Sequence, residues 1–374
     1  MDPIKLASIE TFAFRVPTKP IKVSFGIFRD RPCVLVRVVD ADGQEGWGEV
    51  WCNWPAATAE YRARLAGDIG ERLIGRSLAS PYEAFRTLTK EMEVLVLQTG
   101  ESGPIAAAIA GIDIAIWDLS ARRKGVPLHR HLGGAGADFV PVYATGVNPD
   151  QPEEFAAARY REGHRAFKLK IGFGREIDVK NLANMRRVLG NDAKLMCDAN
   201  QALSLSAAIA LSREIAPSNL SWLEEPLRVD APAADWQTLA AASPIELAGG
   251  ENLQGKQLED AVAGNVFGVL QPEITKWGGI TGNLGVARAA VAAGKRFCPH
   301  YFGGGVALLA SLHLLATVGG EGVLEFDCHP NASREIVIGS LLPVREGRVP
   351  TPTAPGLGSI PDLCALAHYR TWPQ

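Results

Sequence analysis

Lys194-Leu195-Met196-Cys197-Asp198, Ser221-Trp222-Leu223-Glu224 and Pro244-Ile245-Glu246-Leu247-Ala248-Gly249-Gly250-Glu251 repeat one pattern, a short apolar run that ends in an acid. The terminal acids Asp198, Glu224 and Glu251 lie 26 and 27 residues apart, close to the length of one strand-plus-helix unit of an α/β barrel. That period stacks three carboxylates at the mouths of neighbouring parallel strands, where they repel one another unless a cation sits between them. Ligation by oxygen alone suits Mg²⁺. Taken singly, each acid also reads as the start of a solvated loop; the shared period is what favours a common site.

The same alternation extends on both sides of this stretch. Strand candidates start near Val140, Phe167, Leu195, Trp222, Ile245, Val266, Phe297 and Val323, with helical stretches such as 207–215 and 284–293 between them. Eight strands joined by crossover helices predict a parallel sheet closed into a barrel. Upstream, residues 4–16 and 32–40 are rich in Val, Ile and Phe, and the chain returns through Asp40-Ala41-Asp42-Gly43 to Gly46-Trp47-Gly48-Glu49, an antiparallel meander. Helical patterning over 57–93 and an Ala/Ile-rich helix opened by Pro104 follow, and the Gly-rich stretch 130–138 reads as a linker. After Pro330 the alternation stops. The predicted organisation is an α+β capping domain over 1–130, a barrel over 131–329, and a segment over 330–374 that returns to the cap.

A chain of 374 residues can bury a sizeable core. Its formal charge of −3 comes from 38 basic and 41 acidic side chains mixed along the sequence, with no basic stripe to follow a phosphate backbone, so nucleic acid is excluded as a partner. The N-terminus lacks an apolar core with a cleavage site, and no apolar run reads as long enough to span a bilayer; the expectation is a cytosolic protein with no membrane partner. Six cysteines without a Cys-x-x-Cys pair suggest neither a zinc site nor a disulfide framework.

Within Phe167-Lys168-Leu169-Lys170-Ile171, period-2 alternation puts both lysines on one face, which in a barrel is the inner one. Like charges this close disfavour double protonation, so one lysine is expected with a lowered pKa and a role as general base. The sixth strand ends in Pro272-Glu273-Ile274-Thr275-Lys276 and the seventh in His300. If both ends share a mouth, Glu273 orients the imidazole through one nitrogen and leaves the other free. Strand eight adds Glu325. Phosphate-loop, dinucleotide, His-x-His and nucleophile-elbow signatures are missing, and Gly303-Gly304-Gly305 by itself reads as a flexible loop.

These residues carry a family likeness. Lys168-Leu-Lys170, Cys197-Asp198-Ala199-Asn200, Trp222-Leu-Glu224-Glu225-Pro226, Gly250-Glu251-Asn252, Gln271-Pro-Glu273 to Gly278-Gly279-Ile280-Thr281, His300 and Glu325 together resemble the mandelate racemase branch of the enolase superfamily. The resemblance implies a modified TIM barrel, (β/α)7β, with an α+β cap built from the N-terminal region and the C-terminal segment. It also implies Mg²⁺ held by Asp198, Glu224 and Glu251. Lys170 resembles the base on one face of the substrate, with Lys168 beside it meeting the carboxylate, and His300 the acid or base on the other face. Glu325 is implied as a neutral acid that donates to an enolate, and Lys276 resembles the branch's strand-six lysine. The histidine's partner is usually Asp, whereas Glu273 is one methylene longer. A lysine at that position would instead mark the muconate-lactonizing and dipeptide-epimerase branch.

Specificity in the family resides in two cap loops, here about 21–31 and 51–55, which offer Phe25, Phe28, Trp51 and Trp54 alongside Arg29, Arg31 and Asn53. Phe25, Arg29, Arg31, Asn53 and Trp54, with Asn200 and Tyr301 beside the barrel acids and histidine, form the candidate substrate contacts. The aromatics also read as anchors of cap to barrel. Three functional classes follow: a lyase that dehydrates an acid sugar, an isomerase that racemises or epimerises a 2-hydroxy acid or N-substituted amino acid, and a non-catalytic binding protein on the same fold. The expected partners are a small carboxylate substrate and further copies of the chain, from dimer to octamer.

Overall fold

The computed structural model describes residues 3–23, 25–55, 58–134 and 136–373, and two sheets of opposite character carry it. β1 (Ile4–Val23), β2 (Gly26–Asp40) and β3 (Glu45–Val50) form the antiparallel meander read from the sequence. Along β2, Val34, Val36 and Val38 face the cap's helices while Cys33 and Leu35 face the core shared with the barrel. A strand covered on both faces reads as a continuous apolar run, which is what the sequence shows there.

The stretch 57–93, read as one helical region, is two helices. α1 (Ala59–Gly70) ends in a 3₁₀ turn at Glu71–Leu73, β4 (Ser77–Leu78) pairs with β1, and α2 (Pro81–Thr99) starts afresh with Pro81 in its first turn and Ser80 as its cap. α3 (Ser102–Arg123) is the cap's central helix. Contrary to the sequence expectation it is long and apolar enough to cross a bilayer, but 89 % of its most apolar window is buried inside the protein. It lies close against β3 because glycines meet there: a Cβ on Gly48 would stand 1.9 Å from the Gly111 carbonyl oxygen.

α4 (Leu128–His131) occupies the start of the expected linker, and the barrel follows. Its strands and helices alternate as β5 (Phe139–Val147), α5 (Pro152–Arg161), β6 (Ala166–Lys170), α6 (Arg175–Leu189), β7 (Lys194–Asp198), α7 (Leu205–Ile215), β8 (Leu220–Glu224), α8 (Ala233–Ala242), β9 (Leu247–Gly249), α9 (Lys256–Ala263), β10 (Val269–Leu270), α10 (Gly279–Ala292), β11 (Arg296–Phe297), α11 (Gly305–Val318) and β12 (Leu324–Asp327). All eight are parallel, in the order β11-β10-β9-β8-β7-β6-β5-β12 among the described residues, so the architecture is (β/α)7β. β9 and β10 begin two and three residues later than the sequence reading places them. At the seam Gly322 permits a close approach, since a Cβ there would lie 2.1 Å from the Phe297 carbonyl oxygen.

The pleat sorts side chains as expected for a barrel. Phe167, Leu169, Leu195, Cys197, Leu223 and Leu247 pack outward on the helices, while Tyr143, Met196, Trp222, Ala248, Val269 and Cys298 fill the interior. Beyond it, α12 (Ala332–Ile338) packs on α11, β13 (Arg348–Pro350) pairs with β5, and α13 (Leu363–Leu366) leads to β14 (Arg370–Trp372), which pairs with β1 in the cap sheet. The C-terminal segment therefore touches both sheets. All six cysteines are free thiols, five of them buried.

Candidate active site

Strand register alone gathers the acids. Lys170 pairs with Asp198 across β6 and β7, Asp198 with Glu224 across β7 and β8, and Glu224 with Ala248 of β9, three residues before Glu251. Lys168 is fully buried, its Nζ 2.6 Å from Glu224 Oε1, 2.8 Å from Glu325 Oε1 and 3.7 Å from Asp198 Oδ2. Lys170 donates to Asp198 Oδ2. The other Glu224 oxygen accepts from Trp222 Nε1 at 3.1 Å and Gln271 Nε2 at 2.6 Å. Burial and the neighbouring Asp198 push Glu224 up to about 7, and burial together with Glu251 pushes the adjacent Glu225 to about 8. Asp198 goes the other way, because the two lysines outweigh the effect of burial.

The expected lowering of a lysine pKa is not what this arrangement produces. Burial pulls Lys170 down and Lys168 repels it, but Asp198, Glu224 and Glu325 more than offset both and leave it above its ordinary value; Lys168 is raised for the same reason. Glu325 also departs from the neutral acid implied by the resemblance. Burial alone would raise it, yet Lys168 and His300 hold it below the usual carboxylate range, and it accepts the Tyr301 N–H at 3.0 Å.

The donor set fits a divalent cation in kind: all-oxygen ligands at adjacent strand ends, Asp198 and Glu224 buried and Glu251 half-buried, mutually repelling, with more carboxylates than ammonium groups among them. With the side chains as they stand, no three such groups among the described residues converge tightly enough to enclose an ion. Lys168 and Lys170 take the facing oxygens of Glu224 and Asp198 instead.

Across the mouth, His300 Nδ1 is 3.0 Å from Glu273 Oε2, the pairing expected from the two strand ends. The second Glu273 oxygen is held by Thr275, through its N–H at 3.0 Å and its hydroxyl at 2.6 Å. His300 Nε2 faces Glu251 Oε2 at 3.6 Å and Glu325 Oε2 at 4.0 Å. Burial would lower this histidine, but Glu251, Glu325 and Glu273 together raise it to about 10. Lys276 reaches Asn252 Oδ1, lies 4.0 Å from Glu251 Oε1, and stands over the Trp51 ring.

Lys170, His300, Glu251, Glu325 and Asn200 line one cavity, roofed from the cap by Phe25, Trp54 and Asn53. A second cavity continues past Trp51 and Asn200 to Glu225, Asn252 and Lys276. Three predicted substrate contacts lie elsewhere. Arg31 is 1 % exposed and forms a buried ion pair with Asp327 at 2.7 Å, its guanidinium stacked on Phe302. Tyr301 sits in the core with its hydroxyl donating to the Gly303 and Gly304 carbonyls. Arg29 is exposed and lines neither cavity. Sequence reasoning missed Thr145, Gly146 and Asn148 at the end of β5 and Phe302 after His300, all of which line the first cavity. Gln271 and Thr275, which hold Glu224 and Glu273, stand inside the strand-six motif but carry no ionisable group to mark them.

A (β/α)7β barrel whose strand ends present a lysine pair, a row of acids and a Glu–His dyad beneath an α+β cap defines an enolase-type barrel enzyme. The comparisons make this specific. Residues 8–133 match the mandelate racemase/muconate lactonizing enzyme N-terminal domain and residues 151–363 the enolase C-terminal domain-like model, so the chain belongs to the mandelate racemase/muconate lactonizing enzyme family. It is 32 % identical to a D-galactarolactone cycloisomerase of Agrobacterium fabrum over 92 % of each chain. It is 31 % identical to an L-talarate/galactarate dehydratase of Salmonella typhimurium, covering 98 % of this chain and 89 % of that one. A mandelate racemase/muconate lactonizing enzyme structure from Bordetella bronchiseptica superposes with a TM-score of 0.92 at 48 % identity, covering 98 % of this chain and 99 % of that one. A Streptomyces coelicolor racemase solved with bound magnesium superposes at 0.86 and 26 % identity, over 98 % of this chain and all of that one.

Proposed function

We propose that the chain is a Mg²⁺-dependent lyase that removes the proton α to the carboxylate of an acid sugar and expels the β-hydroxyl as water. The observation that carries this reading is that Lys170 and His300, on β6 and after β11 with four strands between them, line the same cavity from different sides. Asp198, Glu224 and Glu251 would hold the ion, which when bound supplies positive charge against the second negative charge that develops on the substrate carboxyl group. The dehydratase and cycloisomerase relatives and the magnesium-bound neighbour support the assignment.

The residues divide the work. Lys168, buried among acids and lining neither cavity, stays cationic and holds Glu224 and Glu325 in place. Lys170, in its neutral form, takes the α-proton on one face, leaving an enediolate; a cation held by Asp198 would weaken the ion pair that keeps this lysine protonated and let the like charge of Lys168 act on it. His300 gives a proton to the departing β-oxygen on the other face, with Glu273 on Nδ1 keeping Nε2 toward the cavity. The Glu273 carboxylate, 3.0 Å from Nδ1, stabilises the imidazolium form that donates. Asn53, Trp54 and Phe25 close the cavity above.

Cycloisomerisation is the second reading, favoured by the cycloisomerase relative. The same enediolate expels a ring oxygen instead of a hydroxyl, and the ring opens without loss of water. Racemisation needs only that His300 return the proton to the α-carbon. A screen of mono- and diacid sugars and their lactones with Mg²⁺ separates the outcomes. We expect a 2-keto-3-deoxy acid, trapped with semicarbazide, from at least one acid sugar, and its loss in Lys170→Ala. A product formed only from lactones would select the cycloisomerase. Turnover confined to aromatic 2-hydroxy acids or N-substituted amino acids would overturn the acid-sugar assignment.

A further inference from the structure

Two motifs that the reaction does not use, Gly46-Trp47-Gly48-Glu49 in the cap and Gly303-Gly304-Gly305 in the barrel, meet in the structure. Glu49 of β3 is 3 % exposed, and its carboxylate accepts from Gly304 N at 2.5 Å and Ala307 N at 2.9 Å. A side chain more than 250 residues away in sequence thus caps the first turn of α11, where unpaired N–H groups and the helix dipole favour an anion. The glycines make room for it. A Cβ on Gly303 would lie 2.7 Å from Glu49 Oε1, and one on Gly304 3.0 Å from Glu49 Oε2.

The loop capped in this way is the one that carries His300. Tyr301 donates its hydroxyl to the Gly303 and Gly304 carbonyls at 2.8 and 3.0 Å and its N–H to Glu325. Asn53, also from the cap, donates to the Phe302 carbonyl at 2.6 Å. At the cap end, Gly46 and Gly48 let β3 pack directly against α3. We propose that Glu49 is a positioning residue that locks the His300–Gly304 loop to the cap, so that the cap's placement sets the aim of His300. The inference rests on the acid role given to His300 above, and its test has an arm that does not.

That arm is the reactivity of His300 toward diethylpyrocarbonate, resolved among the seven histidines by peptide mass spectrometry and followed across pH, because only the neutral ring reacts and the pH-independent limit reports access alone. In Glu49→Gln the amide puts a donor against one of the two N–H groups, the loop loosens, and His300 is modified severalfold faster than in the parent. With an acid-sugar substrate, kcat falls on the order of 10- to 10²-fold while KM changes little, and Lys170-dependent exchange of the α-proton survives. Gly303→Ala presses on the same contact from the loop side and produces the same pattern; it decides the matter if Glu49→Gln does not fold by near-ultraviolet circular dichroism. Unchanged His300 reactivity in a folded variant overturns the proposal, as does a rise in KM with kcat intact. If the parent enzyme turns over no acid sugar, the functional reading fails while the reactivity arm still tests the lock.

Discussion

Replacing Glu273 by Gln tests the dyad, because the structure dictates how the amide must sit. One carboxylate oxygen takes two donors from Thr275 and the other faces His300 Nδ1. The Thr275 N–H can only donate, so the glutamine oxygen stays with Thr275 and its NH₂ turns to the histidine. Nδ1 must then accept, which fixes the proton on Nε2 of a neutral ring and removes the anion that stabilises the imidazolium. An equivalent exchange in a Ser-His-Asp triad costs about 10⁴ in kcat, so a loss of about 10³ to 10⁴, or ~4 to 5.5 kcal/mol of barrier, is expected here. The assay is the steady-state rate of keto-acid formation beside Mg²⁺ titration by calorimetry, which should be nearly unchanged. Thr275→Val keeps the N–H and loses only the hydroxyl bond, so it should cost about tenfold. Glu273→Asp should lose rate, since the longer side chain already reaches Nδ1 at 3.0 Å. Near-parental turnover in Glu273→Gln would refute the reasoning and leave His300 acting alone.

Arg31→Met should destabilise the fold by ~1 to 3 kcal/mol, since Asp327 loses its 2.7 Å partner and keeps only Arg334 at 3.6 Å as counter-charge, with Asp327→Asn recovering part of the loss and KM unaffected; thermal melts and kinetics check it, and a large rise in KM without loss of stability would return Arg31 to the substrate. Burial holds His313 down at about 3, below its ordinary value near 6.5. Its contribution to stability is therefore complete above pH 6.5 and is lost as pH falls toward 3, ~2.7 kcal/mol by pH 4.5. Urea titrations at pH 7 and 4.5 should show a smaller difference in His313→Gln. Mg²⁺ at about 100 times its Kd should add ~2.7 kcal/mol of stability that chelation removes, and Asp198→Asn should abolish the gain; preference for Zn²⁺ or indifference to chelation would contradict the metal assignment.

What the sequence made legible follows from how local each signal is. β6, β7 and β8 were readable because each is a five-residue strand with a short apolar stretch and a charged side chain at its end. β10 and β11 are two residues long, so flanking apolar residues such as Val266 blur where they start. Helical periodicity over 57–93 does not register a 3₁₀ turn, although Gly75 and the Ser80-Pro81 start signal lie inside that range. The dyad was readable because both members end strands. Arg31 and Tyr301 misled because nearness in sequence to a loop or a histidine says nothing about which way a side chain turns. Arg31 finds Asp327 across 296 residues, a pairing no local pattern reports. The lysine pair's like charge was legible in one strand, but the acids that face both ammonium groups and raise them come from three other strands, which no local pattern reports.

The most direct test of proton transfer between Lys170 and His300 is deuterium uptake at the substrate α-carbon in D₂O with Mg²⁺, measured for Lys170→Ala and His300→Asn on the same acid sugar. His300→Asn should exchange the α-proton but form no keto acid, whereas Lys170→Ala should do neither. Exchange that survives in Lys170→Ala and vanishes in His300→Asn would reverse the two roles, and keto product from both variants would contradict the account.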